Sequence, residues 1–211
     1  MENNTDWYNF VLSKEGNMSK AEKTRQFIIE KTAPIFNKKG YASTSLSDMT
    51  DATGLTKGSI YGNFADKDEV ALACFDHNHR VVRETVGMEM ARRTGYRDKL
   101  RVYVDVYSGN GKFNLVPGGC PILNTAIEAA DTHPGLRKKA AEAIELWKQK
   151  IVTLIEAGKA SKEFKSITDS EQAALSIIAL LEGSIMIRRT VGQAGYGKPL
   201  IAAVENIINA L

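Results

Sequence analysis

Residues 53 to 64 read TGLTKGSIYGNF, a run in which short hydroxyls, one ammonium, one phenol and one amide crowd together. Gly54 permits a tight turn, and Thr56 after it can cap a short helix while offering its hydroxyl to a phosphate. Gly58 and Ser59 let a backbone approach closely. Ile60, Tyr61 and Phe64 fall at the spacing of one helical face. A helix this short buries little apolar surface, so it does not exist for stability alone. It is built to touch something.

A second candidate chemistry sits in GGCPILNTA at 118–126. Cys120 follows two glycines at an expected helix start, where free N–H groups and the helix dipole lower a thiol pKa and make a reactive thiolate. A small buried or capping residue reads the same way. Cys74, inside ALACF, has the surroundings of a core thiol. With two cysteines and no Cys-x-x-Cys, neither a disulfide framework nor a zinc site is expected, and both thiols read as free. His77 and His79 are two apart and point to different helix faces, so they do not make a joint metal ligand pair.

The elements that position these groups are helical throughout. Four starts carry one device, a short polar residue followed three positions later by an acid: Ser19 with Glu22, Ser45 with Asp48, Asp66 with Glu69, and Thr168 with Glu171. The first helix is predicted over about 20–38, with Ile28, Ile29, Thr32, Ile35 and Phe36 on one face and Gly40 at its end. Pro34 inside it removes one hydrogen bond and is expected to bend the last turn. A second helix runs from Ser45 to Gly54, a third over 56–63, and a fourth from Asp66 past Arg80. Leu55 and Ile60 would anchor the second and third against the first.

Beyond residue 80 the pattern stays helical. RDKLRVYVDVYS at 97–108 gathers Leu100, Val104 and Tyr107, and GNGKFNLVPGG at 109–119 reads as a long Gly-rich loop. Pro134 fits a first helical turn and Gly158 lies near a helix end. The nearly apolar AALSIIALLEGSIMIRRTVG at 173–192 is too short to span a bilayer and needs cover on most sides, from a core or from a second subunit. PLIAAVENIINAL closes the chain. No strand alternation or internal repeat occurs, so the fold class is all-α.

With 211 residues, 43% apolar and 25% charged, the composition is that of a globular protein of one or two domains. The net charge of +3 is mild, yet residues 20–67 carry eight Lys and Arg against five acids, so the excess is densest around the opening motif. The N-terminus lacks a basic region followed by an apolar core, and the chain is read as cytoplasmic, without a membrane segment. The first 18 residues, polar apart from WYNFVL at 7–12, read as a flexible arm.

Short helix, Gly turn, short helix is the layout of a helix-turn-helix, whose second helix enters the major groove. At this point TRQFIIEKTAPIFNKKGYASTSLSDMTDATGLTKGSIYGNFADKDEV, residues 24–70, closely resembles the DNA-binding domain of the TetR family of bacterial transcriptional regulators. The match includes KGY before the second helix, T-K-G-x-x-Y-x-x-F in the third, and K-D after it. The resemblance implies a helix-turn-helix head over 19–66 and a ligand-binding and dimerisation region over 67–211. By position it implies double-stranded DNA contacts from Ser45, Ser47, Thr56, Lys57, Gly58, Ser59, Tyr61, Asn63 and Lys67. Lys57 and Lys67 would neutralise phosphates, Tyr61 would pack its ring and donate its hydroxyl, and Asn63 or Lys57 would read a base edge. Both Lys57 and Tyr61 should then be largely exposed. Gly62 and Asn63 depart from the family pattern, which leaves base preference open.

The same resemblance implies a homodimer through the last two helices, about 168–193 and 198–211, on a near-palindromic operator, released by a small-molecule inducer. Tyr96, Tyr103, Tyr107, Phe113, Trp147 and Met186 are candidate lining for the inducer chamber, and each would equally suit a core. Some TetR-like proteins with Gly-Cys at this helix start sense oxidants or electrophiles, so Cys120 is a candidate trigger as well. A remote alternative is a small helical enzyme pairing Cys120 with His133. No metal pair, nucleotide-cradling glycine signature or hydrolase elbow accompanies that pair, so no cofactor is expected.

Overall fold

The computed structural model describes residues 18–109, 113, 116–165, 167 and 169–211. Among them are nine α-helices and no strand: α1 (Lys20–Ser43), α2 (Leu46–Thr53), α3 (Lys57–Tyr61), α4 (Lys67–Ala91), α5 (Tyr96–Tyr107), α6 (Pro121–Ala129), α7 (Pro134–Ala160), α8 (Ser170–Val191) and α9 (Lys198–Ala210). A short 3-10 turn, Ala194–Gly197, joins the last two. The expected N-terminal arm lies outside the described residues, apart from Met18.

Local chemistry sets most of these boundaries. Ser19 and Glu22 satisfy one another's backbone, the Glu22 N–H donating to Ser19 Oγ at 3.2 Å and the Ser19 N–H to Glu22 Oε2 at 2.7 Å. Ser45 and Asp48 repeat the arrangement at the head of α2. Asp66 accepts the Glu69 N–H at 2.8 Å, and Glu69 reaches back to the Ala65 N–H at 2.6 Å. At α8 the expected cap, Thr168, lies outside the described residues; Asp169 accepts the N–H groups of Glu171 and Gln172, both at 3.0 Å.

The backbone break in α1 is at Gly40 rather than near Pro34. Helical dihedrals continue through the proline, whose fixed φ suits a helix, whereas Gly40 takes φ +79° and turns the chain. A β-carbon there would also meet the Glu128 carboxylate carbon at 2.7 Å.

Ile28, Ala33 and Phe36 of α1, Met49 of α2, Ile60 of α3 and Phe64 are all buried together. A helix as short as α3 would not persist alone in water. Burial of Ile60 and Phe64, worth about 1.5–3 kcal/mol each, holds it in place. Helix α4 packs along α1 through Val70, Ala71, Cys74 and Phe75, then continues through Val82, Val86 and Met90 into a second packed region formed with α5 to α9. Its centre holds Leu100, Tyr107, Trp147, Ile151, Ile177, Leu181 and Ile208. No helix among the described residues is long and apolar enough to cross a membrane.

Candidate functional site

The turn before α3 is built on Gly54, which takes φ +68° and donates its N–H to the Thr50 carbonyl at 2.8 Å. A β-carbon there would meet nothing within 4 Å, so the glycine is required by conformation and not by space. Thr56 then caps α3, its hydroxyl accepting the Ser59 N–H at 3.2 Å. Ile60 and Phe64 face inward, which turns the opposite side of α3 to solvent.

On that outer side Ser45, Ser47, Thr56, Lys57 and Gly58 are exposed, while Ser59, Tyr61, Asn63 and Lys67 are half-buried. Lys57 has no carboxylate partner among the described residues. Tyr61 departs from the expected exposure because its ring packs against the core. Asn63 does not project freely: its amide donates to the Ser59 carbonyl at 2.8 Å, and its own carbonyl accepts from Arg25. Arg25 also pairs with Glu69 at 2.6 Å and lies 3.9 Å over the Phe64 ring, closing the link from α3 to α4. The Lys67 ammonium sits 4.4 Å over the Tyr41 ring. The Tyr41 hydroxyl donates to Asp68, and that bond, with burial, raises its pKa to about 12.

In the second packed region a cavity of about 270 Å³ opens between α4, α5, α6 and α7. Its walls are Val82, Val86, Met90, Ile122 and the aromatic group Tyr103, Tyr107 and Trp147. Tyr107 and Trp147 stack at 4.9 Å, and Tyr103 lies 5.8 Å from Trp147. Three of the sequence candidates therefore meet here. His79, Arg83, Gly87, Leu146 and Lys150 complete the lining and were not foreseen, because α4 and α7 give no sign in sequence of which faces oppose each other.

Phe113 and Cys120 fall instead on a second cavity of about 620 Å³, whose wall includes Tyr107, Ile185, Arg188 and Arg189. Tyr96 and Met186 line neither. Tyr96 opens α5, half-buried, with its N–H donated to Glu163 at 2.9 Å. Met186 is 46% exposed on α8.

Cys120 corrects the thiolate expectation. It does stand at the head of α6, and backbone N–H groups of Leu123 and Ile122 pull its pKa down. Burial and the adjacent Glu182 carboxylate outweigh them and push the thiol well above its ordinary range. The thiol is 3% exposed and donates to Glu182 Oε1 at 2.9 Å, so it is a protonated buried donor. Burial raises Glu182 in turn to about 7, against a lowering by the thiol bond. His133 has other partners: its Nδ1 accepts the Leu136 N–H at 3.1 Å, and its ring packs edge-on against Tyr41 at 4.5 Å. The Cys120–His133 pairing is not formed.

Helix α6 connects the cavity to α1, and sequence reasoning missed this set. Asn37 of α1 donates to the carbonyls of Pro117 at 2.9 Å and Gly119 at 3.0 Å. Asn124 of α6 donates to the carbonyls of Asn37 and Gly118, both at 2.9 Å. Gly118, at φ +104°, lies so close that a β-carbon would meet the Asn37 carbonyl oxygen at 2.8 Å. One turn along α6, Glu128 accepts the N–H groups of Tyr41 and Ala42.

A capped turn into a short exposed helix, joined to a helical region with an aromatic-walled cavity, defines a helix-turn-helix transcription regulator. Comparison with known proteins agrees. The family model for bacterial regulatory proteins of the tetR family matches residues 28–74, and that for the tetracyclin repressor-like C-terminal domain matches residues 97–204. The chain belongs to the TetR family.

A TetR-family regulator from Cytophaga hutchinsonii is 48% identical, with a TM-score of 0.89 over 92% of this chain and 98% of the other. One from Chloroflexus aurantiacus is 37% identical, with a TM-score of 0.85 over 91% and 97%. The HTH-type transcriptional regulator TtgR of Pseudomonas putida is 28% identical over 80% of each chain.

Proposed function

We propose that the chain is a two-fold dimeric repressor, with residues 19–66 as its DNA-binding head and 67–211 as its regulatory part. The paired α3 helices enter successive major grooves of a near-palindromic operator, about 34 Å apart. Ser45, Ser47, Thr56, Lys57, Gly58, Ser59, Tyr61 and Lys67 make the contacts, mostly to phosphate, with Lys57 the best placed to reach a base edge. Asn63 acts mainly by closing α3. A small molecule filling the cavity spreads the heads and releases the DNA, because it binds the spread state more tightly.

One observation carries this reading: α6 lines the cavity with Ile122 and grips α1 with Asn124 and Glu128. A displacement at the cavity wall is thereby passed to the head. Pairing through the last two helices is supported by Leu175, Met186, Val191 and Tyr196, large apolar side chains exposed on α8 and the turn after it.

The test combines two measurements on one sample. Sedimentation should give a dimer, and fluorescence anisotropy should show salt-dependent binding to the intergenic DNA beside the gene, reversed by a compound from a small-molecule panel. A monomer, or binding with no preference for that DNA over a scrambled fragment, would refute the proposal.

A further inference from the structure

The cavity between α4 and α7 has a charge character that its apolar walls do not foretell. Arg83 and Lys150, both exposed, stand in its lining, and no Asp or Glu does. Carboxylates are plentiful on the same two helices, yet each is already paired. On α4, Asp68 lies near His133, Glu69 pairs with Arg25, Asp76 with Lys139, Glu84 with Arg80 and Glu89 with Arg92. On α7, Glu142 pairs with Lys138, Glu145 with Lys148 and Glu156 with Lys159. Arg83 and Lys150 are left without a carboxylate among the described residues. His79 beside them adds no negative charge, and burial followed by the nearby Arg83 lowers its pKa.

Two further features sit in the same wall. Gly87 interrupts the middle of α4, where glycine is unfavourable, although a β-carbon there would meet nothing within 4 Å. Packing does not demand this glycine; its missing side chain leaves the mouth open. Trp147, 6% exposed, stacks on Tyr107 and presents an indole N–H with no acceptor among the described residues. A cavity of about 270 Å³ exceeds the ~150 Å³ that takes one benzene ring.

We infer that the effector is a small aromatic anion, its ring against Tyr103, Tyr107 and Trp147 and its carboxylate or similar group at the mouth between Arg83 and Lys150. This rests on the reading of the cavity as the effector chamber and adds the ligand class. Arg83 and Lys150 are the specificity-determining pair, since the aromatic walls accept a neutral ring equally well.

Titration calorimetry with three isosteric probes tests it: 1-naphthoate, 1-naphthalenemethanol and 1-naphthylmethylammonium. At low salt the anion should bind about tenfold tighter than the neutral alcohol and tighter still than the cation, as two solvated charges allow. Double substitution R83Q/K150Q should bring the anion to within about twofold of the alcohol. G87W, whose β-carbon meets nothing within 4 Å and whose ring would fill the mouth, should abolish binding of all three at a melting temperature no lower than the parent's.

Equal affinities, preference for the cation, an anion advantage that survives R83Q/K150Q, or no binding by any probe would each overturn the inference, as would parent affinity in G87W. Anisotropy with operator DNA separates the two readings. Equal binding with DNA release removes the ligand class and leaves the chamber standing, whereas anion-selective binding without release does the reverse.

Discussion

Glu128 of α6 accepts the backbone N–H of Tyr41 at 2.8 Å, and the neighbouring Ala42 N–H at 2.9 Å, just past the break in α1 at Gly40. A carboxylate from α6 thus receives the free N–H groups of α1 just past its break. The contact is polar, directional and partly solvated, so it can be broken without unfolding either side.

Glu128→Ala should therefore leave the fold intact at a cost of about 1 kcal/mol, because the released N–H groups can return to water. Operator affinity should fall and the response to effector should weaken. The salt dependence of DNA binding should not change, since no phosphate contact is touched. Urea unfolding and anisotropy across a salt series check both parts.

Lys57→Ala removes from α3 an exposed ammonium that has no carboxylate partner among the described residues. Stability should stay within about 0.5 kcal/mol. The slope of log affinity against log salt should shrink by about one, the signature of one lost phosphate contact. Tyr61 is better probed by Phe than by Ala, because its half-buried ring packs against the core while its hydroxyl is the group proposed to reach DNA. Parent-like DNA binding by both variants would remove α3 from the interface.

Glu182 gives stability a dependence on pH. Its carboxyl is raised from 4.5 to about 7 in the folded chain. Between those values the folded state holds a proton that the unfolded state has released, so stability must fall as pH rises through that window and stay low above it. The loss is roughly 3 kcal/mol at most, using 1.36 kcal/mol per unit. Glu182→Gln should flatten the melting temperature from pH 4.5 to pH 8 and exceed the parent at the alkaline end. A parent melting temperature that rises across this range would contradict the assignment.

Cys120 and Cys74 should both resist alkylation in the native protein. Burial raises Cys74 to about 12, and burial with the Glu182 carboxylate pushes Cys120 well above the ordinary thiol range. At pH 7.5 iodoacetamide labelling, read by intact mass, should be slower by a factor of about 100 or more than in denaturant, where both thiols return to ordinary values. Rapid native labelling at Cys120 would restore it as a candidate trigger.

What the sequence disclosed follows the range of the interactions. The capping pairs Ser19–Glu22 and Ser45–Asp48, the left-handed turn at Gly54 and the inward pair Ile60 and Phe64 each depend on residues within a few positions, and all were legible. Pro34 misled because proline tolerates a helical φ; Gly40 was read correctly as the place where the first helix gives out, but the Glu128 contact that holds the turn there lies far along the chain. Cys120 was placed correctly at a helix start, but its protonation is decided by Glu182, sixty-two residues away. The cavity was half legible: Tyr103, Tyr107 and Trp147 were named for their chemistry, whereas Arg83, Gly87 and Lys150 matter only because α4 and α7 stand opposite one another.

Helix α6 spans only Pro121–Ala129, yet Ile122 near one end touches the cavity and Glu128 near the other holds α1. In the proposed scheme, so short a rod would transmit what pushes on its near end and ignore what does not. Compounds small enough to nestle against Trp147 without reaching Ile122 would occupy the chamber silently and, by excluding larger molecules, act as antagonists of induction.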